Sequence, residues 1–512
     1  ASADFRATCK PSEMGAVAVA LYNAVTTGAA PAFAGKKLNE LVTKAAADLK
    51  KGNGLVVCGS NDVNIQTVIN AINSAVGANG TTINWAVNSN YRQGIDADMV
   101  ALTEAMNNGQ VGAVLLQGVN PVYDYYNGKK FADGLAKVPV TVSFAERMDE
   151  TAQKCKYVVP DHHFLESWGD AEPKTGYYSL MQPGIAPLFK TRAFQDSLLA
   201  WSGSATTYGD YWKQYWSTKL GGQAAFDKAL QDGIIEPAGE MPMAGAAFAG
   251  NAGAAIAAIQ AKKAGAGLEV MVYEKVAIGA GGAWSNNPWL QEMPDPITKA
   301  TWDNYVCVSP KKAKELGEEL TGITEVENKK RVLKVKANGQ EISLPMVVVP
   351  GMHNDVVAIA LGYGRDAKVG RAAANTGKNA FPLVVFNGQT FDYNTNATIE
   401  KTADVFDVAI TQTHHSYEGR AIIHEYTLDE FSKDPKHLIK EREKELGHYS
   451  GLPWEEHGAG HEGGQAPGGG HGESAHGGGH DNALGIAPVP TRGREAAGES
   501  AFDKGFRENG TL

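Results

Sequence analysis

Between Glu13 and Asn23 apolar side chains recur at helical spacing, and a second such stretch runs from Leu38 to Leu49. The Lys50-Lys51-Gly52-Asn53-Gly54 segment that follows is a helix stop made of lysines and glycines. Gly54-Leu-Val-Val-Cys-Gly59 is a continuous apolar run bounded by glycines, and helical spacing resumes from Asn64 to Ala75. Together they predict a strand, a loop and a helix. The order returns further on: a helix from Ala97 to Asn107, a strand at Ala113-Val-Leu-Leu-Gln117, a helix from Lys129 to Ala136 and a strand from Val138 to Ser143. Such alternation predicts a doubly wound parallel sheet in an α/β domain. Ligands and partner surfaces gather at the carboxyl ends of its strands, here Gly59 to Asp62, Gly118 to Tyr123 and Phe144 to Arg147.

From Thr301 the texture turns to β. Tyr305 to Val308, Lys330 to Lys336 and Glu341 to Val349 read as strands, the last two joined by an Ala337-Asn338-Gly339-Gln340 hairpin turn. A compact β-barrel or sandwich domain is expected there. Between the two regions lie an aromatic stretch from Trp201 to Trp216, an Ala/Gly-rich segment and a further candidate strand from Leu268 to Tyr273, placed in neither domain. From His457 to His480 glycine and histidine dominate, a composition that cannot bury enough apolar surface to offset the entropy of ordering, so a disordered tail is expected. The resulting plan is a helical lead-in over 1–50, continuing a preceding domain, and a Rossmann-like α/β domain over 51–200. A connecting region over 201–300, a β-barrel domain over 301–430 and a linker or tail over 431–512 complete it.

At 512 residues the chain is long enough for two or three cores, so stability demands no metal or disulfide. The net charge of -10 is spread without a basic stripe carrying interleaved aromatics, which argues against a nucleic-acid partner. Cys9, Cys58, Cys155 and Cys307 stand far apart, so this chain alone is not expected to build an iron-sulfur cluster. Cys58 and Cys307, in apolar surroundings, read as small packed hydrophobes. No apolar run reaches the roughly 18 residues of a bilayer span; the nearest, Met243 to Ala261, is weakly apolar and contains Asn251. The N-terminus lacks a secretory leader pattern, and its abrupt entry into a helix points to processing or to an upstream part. Nucleophile-elbow, Walker and zinc-protease motifs are missing, and the glycines at 279–282 follow no strand-to-helix arrangement, so hydrolases and phosphoryl-transfer enzymes drop out.

Three stretches together resemble the molybdopterin oxidoreductase superfamily. Gly109-Gln-Val-Gly-Ala-Val-Leu-Leu-Gln-Gly-Val-Asn-Pro121 is similar to the strand and G-x-N-P loop that carries part of the family's pterin nucleotide site. Met148-Asp-Glu-Thr-Ala152 through Tyr157-Val-Val-Pro-Asp-His-His-Phe-Leu-Glu-Ser-Trp-Gly-Asp170 resembles its helix, strand and loop. Val308 to Gly317, Ser343 to Gly351 and Leu361-Gly-Tyr-Gly364 are similar to its C-terminal barrel, the dinucleotide-binding domain. The segments Pro160 to Asp170, Val348 to Arg365 and Tyr417 to Leu428 look most like the iron-sulfur B subunit of bacterial alternative complex III.

That resemblance implies a non-catalytic, molybdenum-free scaffold in a respiratory quinol:electron acceptor oxidoreductase, supporting electron flow from quinol to cytochrome c or an oxidase. It implies no cofactor in this chain, iron-sulfur clusters in an adjoining ferredoxin-like part and haem c in partners. The partners implied are a multihaem cytochrome c and integral membrane quinol-binding subunits, with this chain on the periplasmic face of the bacterial cytoplasmic membrane, held there by them. The family's earlier cluster motif and half of its pterin region have no counterpart here. The alternative is part of a catalytically active molybdopterin oxidoreductase whose catalytic half lies outside these residues.

No catalytic or metal-binding residue is expected. Asn120 and Pro121, with Asp161, His162 and Glu166, are candidates for a vestigial nucleotide pocket, since half a pocket cannot hold a large dinucleotide tightly. Asp161, His162 and Glu166, with His163 beside them, pair imidazole with carboxylate as acid/base or metal sites do. Adjacent histidines point in different directions, however, and Trp168 suggests packing, so structural hydrogen bonding or subunit contact is the expectation. His414 and His415 meet the same objection. His457, His461, His471, His476 and His480 are irregularly spaced, without the second shell of a built metal site.

Overall fold

The amphipathic spacing of the first 75 residues becomes a helical layer. Met14–Thr26, Lys36–Leu49 and Val63–Ala75 are helices, and a fourth, Ala252–Ala261, joins them from the Ala/Gly-rich segment. Val19, Val42, Leu49, Val68, Ile72 and Ile259 are among the side chains that fuse them into one core. Asp62 caps the third helix, its carboxylate accepting the N–H groups of Asn64 and Ile65. This computed structural model describes residues 3–239, 241–262, 265, 267–279, 281–318, 329–411 and 426–436. No helix among the described residues is long and apolar enough to cross a membrane. His414, His415 and the five histidines from His457 to His480 lie outside the described residues.

The apolar run from Gly54 to Gly59 is extended but is not a strand, which corrects the sequence reading. Its backbone is held by side chains of the helix behind it. The Val56 N–H donates to Asn73 Oδ1 at 2.8 Å, and the Val56 carbonyl accepts from Asn73 Nδ2 at 2.9 Å. Gln66 Nε2 donates to the carbonyls of Cys58 and Ser60 at 2.9 and 2.6 Å. Two side-chain amides thus take the place of a neighbouring strand.

The parallel sheet contains β1 (Ala113–Leu116), β2 (Val140–Ser143) and β3 (Tyr157–Val158), in that order, with Ala113 opposite Val140 and Val142 opposite Tyr157. Helices Asp96–Asn107 and Gly128–Leu135 cover one face through Met106, Phe131 and Leu135 against Val114 and Leu116. On the other face Leu115, Val140 and Tyr157 are exposed, while Val142 is buried. Among the described residues the fold is mixed α/β with a short parallel sheet. The order β1-β2-β3 runs without a reversal among the described residues.

A second, antiparallel sheet follows: β4 (Gly169–Lys174), β5 (Tyr177–Met181) and β6 (Ile234–Ile235). The aromatic stretch folds onto it as helix Tyr208–Leu220, beside Gln223–Asp232. Trp212 and Trp216 are both buried, and their indole N–H groups converge on Asp170 Oδ2 at 2.7 and 2.8 Å.

The β-rich half closes into a six-stranded barrel. Its strands are β7 (Glu269–Tyr273), β8 (Val306–Val308), β9 (Lys329–Ala337), β10 (Gln340–Val348), β11 (Val356–Ala360) and, after the small hairpin β12 (Val385–Phe386) and β13 (Phe391–Asp392), β14 (Asn394–Asp407). The order around the barrel is β10-β8-β11-β7-β14-β9, and β9 and β10 close the ring. The unplaced segment before Tyr273 is therefore a barrel strand. Asn338 and Gly339, both at positive φ, make the tight β9–β10 turn that the Asn-Gly pair predicts. Val270, Val306, Leu333, Val335, Leu344, Val357 and Ile359 fill the interior. Residues 1–420 form one compact unit; in the other, 421–512, the described residues supply helix Leu428–Lys433, closed by a Thr427/Glu430 capping box.

Candidate functional site

The loop after β1 delivers Asn120 to a buried position at the start of helix Pro121–Asp124, with Pro121 buried as its first residue. Asn120 faces the loop after β2. Its side-chain oxygen accepts from the Thr151 N–H at 3.0 Å and the Thr151 hydroxyl at 2.6 Å. Its amide donates to Glu150 Oε2 at 2.7 Å. Glu150 in turn takes a two-pronged contact from Arg365, Nε to Oε1 at 3.0 Å and Nη2 to Oε2 at 2.9 Å, and accepts the Asp366 N–H at 2.8 Å.

Arg365 leaves the barrel immediately after β11 and is the bolt between the two halves. Its Nη1 donates to the Gly282 carbonyl at 2.5 Å and to Ser285 Oγ at 3.2 Å, and its guanidinium lies 4.2 Å from the centroid of the Tyr123 ring. The Tyr123 hydroxyl donates to the Tyr363 carbonyl at 2.6 Å. The Gly-Tyr-Gly-Arg sequence makes this approach possible: Gly362 and Gly364 both have positive φ, and a Cβ on Gly364 would sit 2.1 Å from the Asn379 nitrogen.

Electrostatically the crevice is lopsided. Burial alone would raise the Glu150 carboxyl, but the Arg365 guanidinium and the Asp366 N–H outweigh it and hold it at about 2. Among the described residues Asp124 has no such partner, and burial pushes its carboxyl up to about 6 despite the pull of Arg365. Burial likewise raises Asp149, although its carboxylate accepts the N–H groups of Thr151 and Ala152.

Asp161, His162 and Glu166 stand on a different loop, so the five predicted residues form no single site. Asp161 Oδ1 accepts the N–H groups of His162 and Phe194, both at 2.8 Å, and its Oδ2 accepts Gln117 Nε2 at 3.2 Å. His162 Nδ1 lies 2.7 Å from Thr191 Oγ1. Glu166 accepts Leu188 N–H at 2.9 Å and His163 N–H at 3.0 Å, and these two donors, Leu188 first, hold its carboxyl below the usual range. His163 caps its own turn through Nδ1.

A pterin nucleotide at the Asn120 loop needs donors and acceptors that the protein leaves open. The Asn120 oxygen already accepts twice, its amide is held by Glu150, and Arg365 lies over Tyr123, so the residues present do not fit that group. An open hollow lined by Val19, Phe33, Asp62, Ile259 and Lys262 includes none of the five candidates. No three His, Cys, Asp or Glu side chains among the described residues are grouped to hold a metal. Burial raises the thiols of Cys155 and Cys307 to about 11 and 12, so neither is a thiolate at neutral pH. Sequence reasoning passed over Glu150, Thr151 and Arg365, although all three lie within the stretches that carry the family resemblance. Their pairing spans 215 positions, and nothing in either local pattern signals it.

No family model matches the chain. The menaquinone reductase molybdopterin-binding-like subunit of Nitratidesulfovibrio vulgaris (strain ATCC 29579 / DSM 644 / CCUG 34227 / NCIMB 8303 / VKM B-1760 / Hildenborough) is 37% identical over 116 residues. Part of this chain is similar to a molybdopterin-binding-like subunit. The match takes in 21% of this chain and 17% of that protein. Acetylene hydratase from Pelobacter acetylenicus overlays 59% of this chain with 46% of its own, at a TM-score of 0.41 and 14% identity.

Proposed function

We propose that this chain belongs to the molybdopterin oxidoreductase superfamily as a non-catalytic, molybdenum-free scaffold. In this reading it is part of the iron-sulfur subunit of a respiratory quinol:electron acceptor oxidoreductase of the alternative complex III type. The similarity to a molybdopterin-binding-like subunit of a menaquinone reductase supports a place in a multi-subunit quinone-linked assembly. The single observation that carries the non-catalytic part is the closed hydrogen-bonding of Asn120, Glu150 and Arg365. Groups at the mouth of the strand ends bind one another and join the barrel to the α/β half, rather than facing an open cofactor bed.

The chain holds no cofactor of its own; iron-sulfur clusters belong to an adjoining ferredoxin-like part and haem c to a multihaem partner. Integral membrane subunits bind the quinol, and the assembly lies on the periplasmic face of the bacterial cytoplasmic membrane. Affinity purification through a tag on this chain, from solubilised membranes, tests that setting. Covalent haem and iron should co-purify, with quinol-driven reduction of cytochrome c in the same fraction. A fraction with neither haem nor iron would contradict the reading.

A further inference from the structure

Two loops, 160–167 and 182–192, are sewn into one knob. The Gly184 and Ile185 N–H groups both donate to the Leu165 carbonyl at 2.8 and 3.2 Å, Leu188 N–H reaches Glu166 at 2.9 Å, and Arg192 N–H reaches the Pro160 carbonyl at 3.3 Å. These bonds fix Phe164, Leu165, Ile185, Leu188 and Phe189 beside one another at the surface. Leu188 and Phe189 are 72% and 66% exposed and Phe164 54%, a contiguous apolar patch that ordinary surfaces avoid. The two carboxylates of the knob, Asp161 and Glu166, are turned inward onto backbone N–H groups. Its cations are not: Lys190 and Arg192 are exposed and make no ion pair among the described residues. In a chain of net charge -10, the charge this knob shows the solvent is therefore positive, set among apolar side chains.

We propose that the knob is a membrane-contact site that rests in the headgroup layer of an anionic lipid bilayer. Apolar side chains on irregular turns present no strand or helix register for a partner element to read. An interfacial layer accepts them in any register, and lipid phosphates meet Lys190 and Arg192. The internal backbone bonds hold the turns in shape, so the apolar side chains enter that layer from a fixed frame. This contact does not depend on the electron-transfer role, and it gives the chain a hold on the membrane beyond that supplied by partners.

Co-sedimentation of the full chain with phosphatidylcholine vesicles, and with vesicles also containing phosphatidylglycerol, tests it. The chain should pellet with the anionic vesicles and be released by high salt, which screens the headgroup charge. Leu188→Ser combined with Phe189→Ser should lower partitioning by about tenfold or more, and Lys190→Gln by about fivefold. Trp289→Ser, an exposed apolar residue on helix Pro288–Glu292, should leave binding unchanged. All four substituted side chains are exposed, so thermal midpoints should hold and report intact folding. Failure to pellet with anionic vesicles would overturn the site and leave the patch to a protein partner. Pelleting that survives the double substitution would overturn it as well.

Discussion

Glu150, largely buried, and Glu166, buried, are both carboxylates on loops after the parallel sheet's strands, yet they are satisfied in opposite ways. Glu166 accepts two backbone N–H groups, from His163 and from Leu188, and closes a local knot. Glu150 meets a charged partner from the barrel, Arg365, and passes the contact on to Asn120. The first is a loop clasp whose loss loosens one knob. The second is a charge pair whose halves are each costly to leave alone. A carboxylate near a strand end is thus no sign of chemistry by itself; what it is bonded to decides whether it fastens a loop, joins two halves or serves a ligand.

The largest effect expected is at the bolt. Arg365→Met leaves Glu150 charged, largely buried and unpaired, and should cost about 3–5 kcal/mol in denaturant unfolding. Adding Glu150→Gln should recover most of that loss, because a pair replaced together leaves no orphan charge. Non-additivity of that kind separates an ion-pair bolt from simple packing. Glu166→Gln keeps the shape of the clasp but turns one of its two acceptor oxygens into an N–H donor that faces a backbone N–H, and about 1–3 kcal/mol is expected. A cost there equal to that of Arg365→Met would erase the distinction between the two carboxylates.

Acid unfolding sharpens the contrast. With its carboxyl held at about 2, Glu150 contributes stability present above its unfolded value, near ~4.3, and lost as pH falls toward 2. Asp124 runs the other way: raised to about 6, it favours the fold fully below ~3.9 and loses that contribution as pH rises through 6. Asp124→Asn should therefore be the more stable protein above pH 6, by about 1–2 kcal/mol, with the gap closing in acid. The smallest effect is expected at the side-chain substitute for a strand. Asn73→Ala should cost about 1 kcal/mol and speed hydrogen exchange at Val56, since the freed backbone is open to water.

Helices Met14–Thr26, Lys36–Leu49, Val63–Ala75 and Asp96–Asn107 and the strands β1 and β2 were legible because each carries its own period and its own stops. Gly54 to Gly59 shows where that reasoning ends. An apolar run bounded by glycines predicts an extended backbone, and the backbone is extended, but period says nothing about who pairs with it; Asn73 and Gln66 do. The β9–β10 hairpin was legible from Asn338-Gly339, whereas the parallel pairings of β7 with β11 and β8 with β10 that complete the barrel join distant segments. At the candidate site, Asn120 was legible as a loop residue, and Asp161 and Glu166 as polar groups in a turn. Arg365 was not, because a partner 215 positions from Glu150 leaves no local trace.

In the proposed reading, Asn120, Glu150 and Arg365 bind one another at the strand ends in place of a molybdenum cofactor. Metal analysis of the native complex, with the 512-residue chain expressed alone beside it, tests this most directly. Iron is expected in the complex, none in the isolated chain, and no stoichiometric molybdenum or tungsten in either. One molybdenum for each copy of this chain in the complex would contradict it and make the crevice half of an active site.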